Sequence, residues 1–102
     1  MQYKVDFDAI PWETPAPAIR DKSCQLNGTK LRLVEYSREM EPHWCTKGHV
    51  GYVLSGSMEI TVGGQVLTYE AGDGVFLPPG EEHKHKARIL TDVVKVIFVE
   101  DA

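Results

Sequence analysis

All four histidines of this chain fall in two short stretches, and one of its two cysteines joins them. The first stretch reads His43-Trp44-Cys45-Thr46-Lys47-Gly48-His49; the second reads Pro78-Pro79-Gly80-Glu81-Glu82-His83-Lys84-His85. Imidazole and thiolate are the side chains that bind first-row transition metals well. Their confinement to two stretches suggests one site, assembled where two strands meet.

The elements that must position these groups read as β-structure. Ser57 to Val62 alternates Met58, Ile60 and Val62 with Ser57, Glu59 and Thr61, the period of a half-buried strand. Gly63-Gly64 then forms a two-residue hairpin loop, and Gln65 to Tyr69 returns. Strands are also expected at Leu31 to Tyr36, Pro42 to Cys45, His49 to Leu54, Val75 to Leu77, His83 to Ile89 and Val93 to Val99. No segment carries a 3.6-residue apolar period over helical length. Many short strands with Gly and Pro turns point to an all-β sandwich or barrel.

Within a strand, residues i and i+2 share a face. On this reading His43 and Cys45 point the same way, His83 and His85 do likewise, and Trp44 points outward. Trp44 then meets an N-terminal arm or a second subunit, or is partly covered by a local loop. Residues 1–18 form the arm, and three of the six prolines lie within Pro11 to Pro17. Proline favours extended geometry, and Ile10 and Trp12 are apolar enough to dock. Residues 19–102 form the barrel domain.

Composition bounds the function. A chain of 102 residues is one domain with one small core. A net charge of −4 offers no basic face for nucleic acid. No apolar run reaches the ~20 residues of a membrane helix, and the opening residues lack a secretion signal. The protein is expected in the cytoplasm, where Cys24 and Cys45 stay reduced; Cys24 reads as a small, partly buried residue.

The spacing of the second stretch resembles a known family. Gly72, Pro78, Gly80 and His83 match the second motif of the cupin superfamily, G-x5-P-x-G-x2-H-x3-N, up to its last position, which is Ala87 here. His43, Cys45, His49 and Gly56 match the first motif, G-x5-H-x-H-x3-4-E-x6-G, in spacing. There Ser37 replaces the first glycine, Cys45 the second histidine and His49 the glutamate. The 15 residues between Gly56 and Gly72 are similar to the spacer of small single-domain cupins of the cupin 2 type. The resemblance implies a double-stranded β-helix, or jelly-roll, barrel with the extended arm at its N-terminus. It also implies a homodimer.

Carried over position by position, the resemblance implies that His43, Cys45, His49 and His83 hold a divalent transition metal. Such a donor set favours Zn, Fe, Ni or Cu over Mg or Ca. Cys45 can instead be a packing residue, leaving three neutral histidines and the full metal charge to attract an anionic substrate. His85 reads as a substrate-facing or supporting group, or as a solvated edge residue. The implied function is a metalloenzyme acting on a small anionic substrate, an oxygenase or an isomerase or epimerase. The alternative is a non-enzymatic domain that binds or senses a small ligand or metal.

Overall fold

Alternating inward apolar and outward polar side chains wind the chain into two facing antiparallel sheets. The computed structural model describes residues 3–102. Among them, nine strands run in chain order. These are β1 (Glu13–Ala16), β2 (Ile19–Leu26), β3 (Thr29–Ser37), β4 (His49–Ser55), β5 (Ser57–Val62), β6 (Gln65–Glu70), β7 (Gly74–Leu77), β8 (His85–Ile89) and β9 (Val93–Asp101). Two short 3-10 turns, Phe7–Ala9 and Glu81–His83, are the only helical elements among the described residues.

One sheet has six strands in the order β1-β2-β3-β9-β4-β7, and the other has three in the order β6-β5-β8. This is a jelly-roll barrel. Its core lies between the sheets and includes Val34, Val53, Met58, Ile60, Val75, Leu77, Ile89, Val94, Val96 and Phe98. The alternation of β5 and β9 is as expected, with Met58, Ile60, Val94, Val96 and Phe98 inward. Gly63 and Gly64 take φ of +57° and +73° and close the β5–β6 hairpin, pairing Val62 with Gln65.

Three expectations about elements change. First, Ile19–Leu26 is a full strand paired with β3 through an Asn27-Gly28 turn in which both residues have positive φ. Its inward positions carry Ile19, Asp21 and Ser23, so it lacks an apolar period. Second, Pro42 to Trp44 is not a strand. Only Cys45 pairs, in an isolated bridge to His85. Third, the strand expected from His83 starts at His85, because Glu81–His83 is a 3-10 turn.

The arm is anchored as its composition suggests. β1 pairs with β2, and the Trp12 ring lies under the Arg20 guanidinium at 4.2 Å and the Lys22 ammonium at 4.6 Å. Both are cation–π contacts. Lys22 Nζ also donates to the Phe7 carbonyl at 2.8 Å. Cys24 faces outward from β2 and is exposed, not partly buried as its setting suggested. No helix among the described residues is long and apolar enough to cross a membrane.

Candidate metal centre

The two histidine stretches are joined by their backbones. The Cys45 amide donates to the His85 carbonyl at 2.8 Å, and the His85 amide returns the bond to Cys45 at 3.0 Å. Residues that exchange both bonds of an antiparallel pair stand opposite each other with side chains on one face. The Cys45 thiol and the His85 imidazole therefore point together into the barrel. A third bond, from the Gly80 amide to the Thr46 carbonyl at 3.0 Å, closes the second loop onto the first.

His49 enters from β4. Its ring lies edge-on to His85, with centroids 5.2 Å apart, and 4.9 Å from the Phe98 ring. Cys45, His49 and His85 each offer one ligand atom, and these atoms lie within 4.8 Å of one another. Bonds to a transition metal are about 2.0–2.3 Å long. The rings of His43, His49 and His85 each have an accepting oxygen at Nδ1. Nδ1 of His49 faces Glu100 Oε2 at 3.1 Å, Nδ1 of His85 faces the His83 carbonyl at 3.3 Å, and Nδ1 of His43 faces the Glu41 carbonyl at 3.3 Å. A carbonyl and an ionised carboxylate only accept, so each Nδ1 carries the proton and each Nε2 is left as the ring's free donor.

Of the residues singled out from the sequence, the structure brings Cys45, His49 and His85 together and places His43 on the same cavity wall, more exposed to solvent. His83 lies elsewhere. Its side chain is 42% exposed at the end of the Glu81–His83 turn, with Nε2 3.9 Å from Glu82, and it does not line the cavity. Its contribution to the centre is its carbonyl, which holds the His85 ring. Trp44 is 50% exposed and sits beneath the ammonium groups of Lys84, at 5.3 Å, and Lys86, at 4.8 Å. The arm's own tryptophan, Trp12, packs on β2 instead.

The cavity in front of the centre has a volume of about 210 Å³. Met58, Ile60, Val75, Leu77 and Phe98 give it an apolar wall, and Arg32, Tyr36, Lys47 and Lys86 contribute the polar groups besides the three histidines and the thiol. No carboxylate lines it among the described residues. Burial raises the Tyr36 hydroxyl to a pKa of about 12, so it stays protonated and able to donate.

Sequence reasoning missed Arg32, Tyr36 and Lys47 on the cavity wall, and Glu100 behind His49. Glu100 lies on β9, and Val50 pairs with Val99, which puts Glu100 opposite His49. The signal was present: Val94, Val96 and Phe98 alternate inward, and Glu100 continues that series with a charge.

Two shifted groups of the site bear on the acid behaviour of the metal-free protein. Burial pushes His85 below its usual 6.5, and the hydrogen bond from His49 holds Glu100 below 4.5, helped by Arg32. In both cases the unfolded chain takes up the proton first as pH falls. The stability each contributes is complete above its ordinary value and is lost as pH falls through the lowered one. The melting temperature of metal-free protein should therefore be level between pH 8 and 7, decline below about 6.5 and decline further below about 4.5. His85→Gln should flatten the first decline. A melting temperature that rises toward acid would contradict the assignment.

The cupin domain family's sequence model matches residues 32–100. The chain belongs to this family. Solved structures agree on the fold of the cupin. KdgF from Halomonas sp. superposes with a TM-score of 0.76 at 21% identity, covering 97% of this chain and 91% of that one. A protein of unknown function from Rhizobium leguminosarum bv. viciae 3841 gives 0.78 at 19%, covering 97% and 95%. The cupin domain of Schizosaccharomyces pombe Cnp3 gives 0.75 at 12% identity, covering 95% of this chain and 72% of that one. No curated protein sequence matches it.

Proposed function

We propose that this cupin is a metal-dependent enzyme for a small anionic molecule, of the oxygenase or isomerase type. Cys45, His49 and His85 hold a divalent transition metal, and His43 stands beside them toward solvent. The observation that carries the reading is the convergence of one thiol and two oriented imidazoles at the floor of a cavity. One sulfur and two nitrogen donors suit Zn, Fe(II), Ni or Cu and not Mg or Ca. A bound metal would supply Lewis acidity, or a place for dioxygen beside the substrate.

The rest of the chemistry falls to the chain. Lys47, with no carboxylate lining the cavity among the described residues, favours an anion, and the apolar wall excludes water from its body. The volume of about 210 Å³ is below the roughly 300–1,000 Å³ of sites for drug-sized ligands, so the substrate is small. Tyr36 keeps its proton and can donate to a developing oxyanion.

The test is metal analysis of protein purified without a histidine tag, followed by oxygen-uptake and product assays on small carboxylates, phenolates, diketones and thiols. Metal-dependent turnover is the expected result. Tight binding without turnover would replace the enzyme by a sensing domain, and protein that takes up no metal would contradict both.

We further propose that the cupin works as a cytoplasmic homodimer, joined through the outer face of the six-stranded sheet. Val50 pairs with both Val99 and Phe76, so these side chains form a continuous apolar stripe across β9, β4 and β7. Phe76 is 75% exposed and Val99 50%. Such a stripe is costly to leave in water, and a two-fold pair covers it on both copies at once. Sedimentation of the wild type should give a dimer, and Phe76→Asp should shift it to monomer with the fold intact. A wild type that sediments as a monomer at micromolar concentration would remove the proposal.

A further inference from the structure

Behind His49 a row of charged side chains crosses the inner face of four adjacent strands. Asp21 stands on β2, Arg32 on β3, Glu100 on β9 and His49 on β4, in the order those strands take in the sheet. Arg32 Nε donates to Asp21 Oδ2 at 2.7 Å, Arg32 Nη1 approaches Glu100 Oε2 at 3.5 Å, and His49 Nδ1 donates to that same oxygen at 3.1 Å. All four side chains are at most 16% exposed. Elsewhere the same face carries Val34, Val53, Val94, Val96 and Phe98.

Stability alone is a poor reason for this row. Taking charges out of water is expensive, and replacing a buried ionic group by well-packed apolar residues is often neutral or stabilising. What the row does supply is direction. Arg32 is fixed at one end by Asp21, which leaves it able to hold the Glu100 carboxylate in place, and Glu100 accepts from Nδ1 of His49, which leaves Nε2 as that ring's free donor. An unsupported imidazole exchanges its proton between its two nitrogens and turns about its bonds.

We propose that Glu100 is a positioning residue. Held by Arg32 and Asp21, it fixes His49 as the Nδ1-protonated tautomer, so that Nε2 is permanently available to the Cys45–His85 centre. The claim rests on the metal-binding reading for its purpose but not for its observation, since the tautomer exists without metal. Supporting partners of this kind typically change metal affinity by about 10–100-fold.

The experiment reads the tautomer directly. Nitrogen-15 correlation spectra of the metal-free wild type at pH 8 should show His49 protonated at Nδ1. Glu100→Leu should lose that preference and bind zinc about 10–100-fold more weakly. Glu100→Gln, whose amide oxygen can still accept from Nδ1, should retain much of both. Protein with His49 protonated at Nε2 in the wild type would overturn the proposal even if Glu100→Leu fails to fold. So would a Glu100→Leu protein with unchanged tautomer and zinc affinity. If the wild type shows the expected tautomer yet takes up no zinc, the metal reading fails and the tautomer assignment stands.

Discussion

His85→Ala is expected to weaken zinc binding by at least about 100-fold, while His83→Ala leaves it within a few-fold of wild type. The lower bound follows because removing a ligand should exceed the roughly 10–100-fold lost with a supporting partner. The contrast is the informative part. The two residues are two positions apart, belong to the same stretch and have the same side chain. They differ in where the chain turns. Gly80 opens the Glu81–His83 turn, Lys84 leaves it extended, and the strand that meets Cys45 begins only at His85. Isothermal titration or competition with a chromogenic chelator measures both variants. Equal losses would mean that the second loop rearranges around the ion, and a loss confined to His83→Ala would reverse the assignment. Because the His83 carbonyl, not its ring, holds His85, the alanine variant keeps that bond.

Gly51→Ala is expected to be strongly destabilising. Gly51 lies on β4 between β7 and β9, opposite Phe98 and Val75. A Cβ there would run into the Ile97 carbonyl oxygen and stand 2.7 Å from Phe98 Cδ1. The obstacle is partly backbone, which cannot rotate away, and the ring is core. Overpacking of well-packed sites costs about 1–3 kcal/mol, and this contact belongs at the upper end or beyond. For a domain of this size that is a fall in melting temperature of roughly 10–20 °C. Gly63→Ala is the matching control, since a Cβ there meets nothing within 4 Å and only its turn conformation, φ +57°, is strained. Thermal melts of the two variants should separate clearly. A Gly51→Ala protein as stable as wild type would mean that β4 and β9 are further apart than described.

Most of the barrel was legible because its strands alternate and its turns carry Gly and Pro. β5, β6 and β9 follow directly from such patterns. β2 did not, because an inward Asp21, paired with Arg32, breaks the alternation by which a strand is recognised. The site was legible to the level of which stretches meet, since four of the five residues singled out line one cavity. What spacing could not supply was the strand start after Gly80. Counting residues treats His83 and His85 as neighbours on one face, whereas a 3-10 turn removes the first from the strand. Glu100 was hidden by distance, 51 residues from the histidine it supports. Inward charges at Asp21, Arg32 and Glu100 are a common theme, and each lies on a strand whose other inward residues pack the core.

The most direct measurement is anomalous diffraction at the zinc edge from crystals grown with zinc. The account predicts one strong peak inside the barrel, about 2.3 Å from Cys45 Sγ and about 2.0–2.1 Å from one nitrogen each of His49 and His85. A peak on His83 instead, or no ordered peak among those three side chains, would contradict it.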